Sequence, residues 1–228
     1  MPSYRTDWSV FLTMHARREV EVAALAVAAG ATVGWARRTR RELHRLRAGA
    51  VEARALAARL TWLADHDALT GLVNRSVLHA RLDDALAEAW PGSVALLFID
   101  LDGFKQVNDR HGHAMGDEVL RAAAERLDRC VQPPGLLARV GGDEFVVLLT
   151  GADVDRCPAG VADAIRAELL EPFPVGPRDV ACITASIGVA VAHRARITGA
   201  ELLRAADAAM YAAKAGGRNQ VSHAGPLS

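Results

Sequence analysis

The sequence predicts an α/β (α+β) fold preceded by a helical N-terminal segment. Three observations carry this reading. Residues 93–100 hold an unbroken apolar run over 94–99 between Ser93 and Asp100, the pattern of a strand buried on both faces. Residues 139–149 place Gly141, Gly142, Asp143 and Glu144 between short apolar runs rich in β-branched residues, which reads as a β-hairpin with acidic side chains at its tip. Amphipathic helical spacing precedes, separates and follows these strands.

The chain has 228 residues, 51% of them hydrophobic, enough for one sizeable domain with an appendage and too apolar for general disorder. Its formal charge is zero, but residues 1–60 hold eleven Arg against five acidic residues, leaving sixteen basic and twenty-two acidic residues beyond. Lys105 and Lys214 are the only lysines, and no aromatic platform or motif joins the basic stretch, so no nucleic-acid partner is expected. Cys130, Cys157 and Cys182 form no CxxC pair and no even framework; neither a disulfide scaffold nor a zinc site is expected, and a reducing cytosol fits.

Residues 22–36 carry no charge and run directly into Arg37-Arg38-Thr39-Arg40-Arg41. A membrane-crossing helix needs about 20 apolar residues, so this alanine-rich span is short for one. Trp35 suits a membrane boundary, and the arginines after the span would keep the following domain in the cytoplasm. The segment at 1–38 is therefore read either as holding a single transmembrane helix, a membrane anchor, or as a soluble helix packing on a partner. A cleaved signal peptide does not fit the long charged lead-in. Over 39–64, Leu43, Leu46, Leu56, Leu60 and Leu63 recur at three- and four-residue steps with Ala50, Ala53 and Ala57 among them. This is a stalk helix, either a parallel coiled coil pairing two chains or a helix folded on its own domain. Gly49 weakens an unbroken coil.

The main domain is placed at 65–224, with a tail at 225–228. Thr70-Gly71 breaks the stalk, and a new helix begins around Ser76, whose hydroxyl is placed to cap it. Leu78, Leu82 and Leu86 line that helix up to Trp90-Pro91-Gly92. The strand at 93–100 ends in Asp100. A carboxylate there is costly without a cation or hydrogen bonds, yet the strand end would hold it rigidly for Mg²⁺. Alone, Asp100 also reads as a turn-former. A polar loop follows over 108–117, then a helix turning Val119, Leu120, Ala123 and Leu127 inward. Taken singly, Asn108 reads as a turn-former, His113 as a helix-opening residue and Asp117 as an N-terminal helix charge. After the hairpin come a helix at 161–171 ended by Pro172 and Pro174, a strand at 179–190 in which Gly188 allows close approach of a neighbour, and a helix at 199–215. Lys214 and Arg218, four apart, are either a solvated pair or two cations facing one anion.

These stretches, in this order, resemble the GGDEF domain of the diguanylate cyclase family. Asp67, Leu69, Thr70, Asn74 and Arg75 match DxLTGLxNR, Gly141 to Phe145 match the signature hairpin, residues 184–190 match TxSxGVA, and residues 206–219 match ADxAMYxAKxxGRN. The likeness runs from about Asp65 to Val221. It implies a mainly antiparallel sheet flanked by helices, as in nucleotidyl cyclases and polymerase palms. It also implies condensation of two GTP into cyclic di-GMP with release of two pyrophosphates, each subunit of a homodimer holding one GTP.

The same likeness implies roles residue by residue. Asp100 and Asp143 by their side chains, with Leu101 by its carbonyl, would hold Mg²⁺, with Mn²⁺ as an alternative. Asp143 would accept the proton and Glu144 would stand beside it as a further catalytic carboxylate. Gly103 and Phe104 would offer backbone N–H groups to the terminal phosphates, and Lys214 and Arg218 would meet the β- and γ-phosphates. Asn108 and Asp117 would read the guanine edge, whose N1–H and N2–H₂ donors suit a carboxylate, with His113 at the substrate. Many members carry an RxxD product-binding motif; here its four places hold Gln132, Pro133, Pro134 and Gly135, so that inhibitory site is expected to be lost. A catalytically silent module that binds GTP or a cyclic dinucleotide, and a cyclase of altered base choice, are the competing readings.

Overall fold

The structure is a computed structural model that describes residues 8–88, 93–151, 154, 157–176, 179–192 and 197–225; side chains are described within these except at 8–20, 24, 26, 33, 34, 36 and 37. The helix stop expected at Trp90-Pro91-Gly92 and the tail beyond Gly225 lie outside the described residues. The chain divides into two compact units, 1–60 and 61–228.

Helix α1 (Trp8–Asp65) runs unbroken through Gly49, because one glycine costs a helix only about 1 kcal/mol. Its Leu43, Leu46, Leu56, Leu60 and Leu63 are exposed, as is Trp35. No helix among the described residues is long and apolar enough to cross a membrane. The stretch before the arginine cluster, 22–36, is rich in alanine, which contributes too little hydrophobicity per turn to make a span.

The second unit is built on a six-stranded sheet. Its members are β1 (Val73–Asn74), β2 (Val94–Asp102), β3 (Leu136–Gly141), β4 (Glu144–Thr150), β7 (Thr184–Val191) and β8 (Val221–His223), in the spatial order β1-β3-β4-β2-β7-β8. The β3–β4, β4–β2 and β2–β7 pairings are antiparallel, and the two edge pairings are parallel. The mainly antiparallel sheet expected from the sequence is therefore present. All nine residues of β2 are buried, Asp100 and Asp102 among them, and its apolar run over 94–99 suits a strand covered on both faces. Residues Ala95, Leu97, Ile99 and Leu101 face α3 (Phe104–His111), α4 (His113–Cys130) and α5 (Pro158–Leu170). Val94, Leu96 and Phe98 face α2 (Arg75–Glu88) and α6 (Gly199–Ala215). Each buried Leu, Ile or Phe stabilises the fold by about 1.5–3 kcal/mol, so this two-sided strand is the centre of the core.

Several local expectations change. The polar stretch after β2 is not a loop: α3 and α4 meet at Gly112 (φ 83, ψ 162), and Asn108 lies inside α3 because the buried Phe104 and Val107 make that segment an amphipathic helix. Ser76 does not cap α2; the Asn74 carboxamide oxygen accepts from Ser76 N at 3.0 Å and Val77 N at 3.2 Å, so the cap sits two residues earlier. The strand expected over 179–190 is divided. Val180–Ala181 is β6 and pairs with β5 (Phe173–Pro174) in a separate two-stranded sheet, while β7 starts at Thr184. Gly188 does serve close approach, since a Cβ there would overlap Ala206 O and Met210 N of α6.

Candidate active site at the end of the central strand

The hairpin between β3 and β4 turns through Gly142-Asp143, with Gly141 opposite Glu144. Neither glycine adopts the left-handed backbone. A Cβ at Gly142 would meet nothing, so the turn leaves open space above its backbone. Arg139 fastens the turn from within. Its Nε and Nη2 donate to Gly142 O at 3.1 and 2.7 Å, and its Nη1 bonds Asp67 Oδ1 at 2.8 Å. Asp67 also accepts from Thr70 N and Oγ1 at 2.9 and 2.7 Å, closing the turn that follows α1. Burial opposes ionisation of Asp67, but Arg139 and Thr70 outweigh it and hold the carboxyl below its ordinary range.

The register of β2 against β4 sets Asp100 opposite Glu144, and Leu101 N donates to Asp143 O at 3.2 Å. Residues 100, 101, 143 and 144, far apart along the chain, thus converge at one strand end. Asp100 is 6% exposed and its Oδ2 lies 2.6 Å from Lys214 Nζ. Burial pushes the Asp100 carboxyl up; Lys214 opposes this, while Asp143 and Asp102 reinforce it. Glu144 is likewise raised, by burial first and then by Asp100, Asp143 and Asp207, against the lowering influence of Arg75. A strand end that crowds carboxylates in this way is suited to a cation, because a divalent ion removes the repulsion that burial magnifies.

The Asp100 and Asp143 carboxylates with the Leu101 carbonyl would make an all-oxygen donor set, the kind Mg²⁺ takes with positions left for phosphate and water. Among the described residues no group of three or more His, Cys, Asp or Glu side chains is arranged to hold a metal by itself.

Gly103, at φ 85, reverses the chain from β2 into α3, and its carbonyl accepts from Gln106 N at 3.0 Å and Val107 N at 3.4 Å. The start of α3, with the N–H groups of Gly103 and Phe104, thus lies directly after the carboxylates of β2. Lys214 sits in the last turn of α6. Arg218 lies beyond the helix at φ 65, its Nε 3.9 Å from Asp102 Oδ1, so the two cations reach neighbouring aspartates from helix and turn. Asn108 packs against Gly116, the residue before Asp117: a Cβ on Gly116 would overlap the Asn108 oxygen and lie 3.2 Å from Phe104 Cζ. Asp117 is half-buried, and His113 is exposed four residues earlier on the same helix. Arg126, stacked 3.8 Å over Phe173 and donating to Glu168 O and Pro172 O, ties α4 to the end of α5.

Asp102 is the residue that sequence reasoning left without a role. Its carboxylate accepts from Thr184 Oγ1 (2.9 Å), Ser186 Oγ (2.8 Å) and Asn219 N (3.0 Å), pinning the turn after α6 to the sheet. The available signal was its two-residue spacing from Asp100, which places both on one face of a strand.

The model of the family described as "Diguanylate cyclase, GGDEF domain" matches residues 64–220. The chain belongs to the GGDEF family. It is 42% identical over 163 residues to the diguanylate cyclase TpbB of Pseudomonas aeruginosa, covering 69% of this chain and 37% of TpbB. It is 43% identical over 173 residues to an uncharacterised protein of Mycobacterium tuberculosis, covering 75% of this chain and 28% of that one. The chain thus spans about a third or less of the length of these curated relatives. Among solved structures it resembles the coiled coil and GGDEF domain of DgcB from Caulobacter crescentus in complex with c-di-GMP. The TM-score is 0.67 at 35% identity, over 79% of this chain and 97% of that one. It also resembles diguanylate cyclase SiaD of P. aeruginosa in complex with its activator SiaC. There the TM-score is 0.65 at 28% identity, over 96% and 87%. The GGDEF family and its diguanylate cyclases connect this chain to cyclic di-GMP signalling.

Proposed function

We propose that this GGDEF protein is a diguanylate cyclase, condensing two GTP into cyclic di-GMP and two pyrophosphates as a homodimer. The observation that carries the reading is the meeting of Asp100, Leu101, Asp143 and Glu144 at the end of β2, beside the N-terminus of α3 and the Lys214 and Arg218 cations.

Asp100, Asp143 and the Leu101 carbonyl would hold Mg²⁺, or Mn²⁺ in its place, which when bound would neutralise charge on the triphosphate and lower the pKa of the attacking hydroxyl. The N–H groups of Gly103 and Phe104 cradle the terminal phosphates, and Lys214 and Arg218 neutralise charge developing on the leaving pyrophosphate. Asn108 and Asp117 select guanine through its paired N–H donors, with His113 at the mouth of that pocket. In each half-reaction a 3′-oxygen forms a bond to the α-phosphorus of the facing nucleotide, the bond from that phosphorus to the bridging oxygen breaks, and pyrophosphate departs. The hydroxyl proton passes to Asp143, with Glu144 beside it. Two such steps close the ring, which is why two subunits must face each other.

Residues 39–64 serve as the stalk that pairs two chains, and residues 65–224 as the catalytic domain, working on the cytoplasmic side where GTP is available. The places of the RxxD motif hold Gln132, Pro133, Pro134 and Gly135, which offer no guanidinium to product, so the usual inhibitory contact is missing. Incubating the full chain with GTP and Mg²⁺ and separating products by chromatography tests the assignment. Cyclic di-GMP and two equivalents of pyrophosphate are expected, with no product from ATP. Binding of GTP without turnover would overturn it in favour of a silent module.

A further inference from the structure

The turn after α6 is held in an unfavourable shape. Gly217, Arg218 and Asn219 all have positive φ, at 118, 65 and 46. Glycine and asparagine visit that region readily, but an arginine enters it only where its surroundings enforce it. The side-chain oxygen of Asn219 is also buried with no hydrogen-bond partner among the described residues. Strain gathered in one short turn points to a function for the side chain it aims, and that side chain is Arg218.

Bonds on both sides of Arg218 hold the turn. Before it, Gly217 N donates to Lys214 O at 3.4 Å, and Arg218 N itself donates to Ala213 O at 3.1 Å. After it, Gln220 Nε2 donates to Ala213 O at 2.8 Å and Asn219 N to Asp102 Oδ2 at 3.0 Å. Only the last of these reaches the acidic end of β2. Asp102 is itself fixed there: it is 8% exposed, its Oδ2 accepts from Thr184 Oγ1 at 2.9 Å and its Oδ1 from Ser186 Oγ at 2.8 Å. One carboxylate thus joins β2, β7 and the strained turn. Arg218 Nε stands 3.9 Å from Asp102 Oδ1, too far for a hydrogen bond, and the terminal nitrogens of Arg218 make no hydrogen bond among the described residues. The aspartate draws the guanidinium toward the strand end without occupying the two-pronged face that suits a phosphate.

We propose that Asp102 is a positioning residue for nucleotide binding, which holds the strained turn closed through Asn219 N and so aims Arg218 at the terminal phosphates. This role rests on the reading of Arg218 as a contact to the β- and γ-phosphates. Asp102 acts through Arg218 and touches neither substrate nor metal. Without its anchor the turn relaxes, and Arg218 has to be ordered at the moment of binding, which weakens affinity.

The full chain is titrated calorimetrically, in Mg²⁺, with a non-hydrolysable GTP analogue and with GMP, as wild type, Asp102→Ala, Arg218→Ala and the double variant. Expected is about tenfold weaker binding of the analogue in Asp102→Ala, no further loss when that change is added to Arg218→Ala, and unchanged binding of GMP, which lacks the terminal phosphates. Asp102→Asn keeps an oxygen for Asn219 N while the Ser186 hydroxyl turns to accept, so it should recover most of the affinity. Ser186→Ala removes one bond to the carboxylate and is expected to weaken the analogue about threefold, a test that stands even where Asp102→Ala does not fold. Additive losses in the double variant, an equal loss for GMP, no recovery with Asp102→Asn, or full affinity in Ser186→Ala overturns the proposal. Additivity would mean that Asp102 acts apart from Arg218. Cyclic di-GMP formation by the wild-type chain separates the two claims. Turnover with additive losses defeats this proposal alone, and coupled losses without turnover defeat the cyclase reading alone.

Discussion

Asp67 and Asp100 are both carboxylates bonded to a cation, one to Arg139 at 2.8 Å and the other to Lys214 at 2.6 Å, yet their surroundings drive them in opposite directions. At Asp67 three hydrogen bonds converge on one oxygen, and the charged form is favoured. At Asp100 burial dominates, Asp143 and Asp102 add repulsion, and the charged form is disfavoured. The first arrangement is complete in itself and acts as a fastener. The second is unfinished electrostatically, and a group in that condition at the mouth of a fold is where chemistry is expected.

The largest effect should come from the unfinished side. Asp100→Asn is expected to lower cyclic di-GMP formation by roughly 10³-fold while leaving the melting temperature nearly unchanged, since it removes a charge that burial already opposes. Turnover assays paired with calorimetry check both halves. Arg139→Ala should do the reverse in emphasis. It strips Asp67 and Gly142 O of their partner, and a lost charge-assisted bond of this kind costs about 1.5–3 kcal/mol of stability, read by denaturant unfolding.

The pH profile sharpens the contrast. A carboxyl whose pKa is depressed on folding contributes stability above its unfolded value and loses it as pH falls through the folded value. The destabilisation caused by Asp67→Asn should therefore be full at neutral pH and shrink as pH drops below the ordinary 3.8. A constant difference down to the acid transition would contradict the fastener. The smallest expected effect is Thr70→Val, which removes one of the bonds to Asp67 and should cost about 0.5–1.5 kcal/mol with turnover retained.

This contrast also shows what could be read along the chain. The strand carrying Asp100, the hairpin tip and the final helix are local patterns, and each stood where periodicity put it. Gly188 was legible as a close-contact position because a glycine inside a strand has few other purposes. The Asp67–Arg139 pair spans 72 residues of sequence and has no local signature, so only the fold discloses it. The cap of α2 was misplaced because Asn74 and Ser76 are both competent caps, and tertiary placement chooses between them. The helical state of Asn108 was hidden by its polar neighbours, while two buried side chains, Phe104 and Val107, decided it.

The central claim is that Asp100 and Asp143 share one cation beside a guanine nucleotide. It is tested most directly by titrating Mn²⁺ into the full chain with a non-hydrolysable GTP analogue and counting bound ions by electron paramagnetic resonance. The expected result is a tight site in the wild-type chain that disappears in both Asp100→Asn and Asp143→Asn. Undiminished Mn²⁺ binding in either variant would contradict the account.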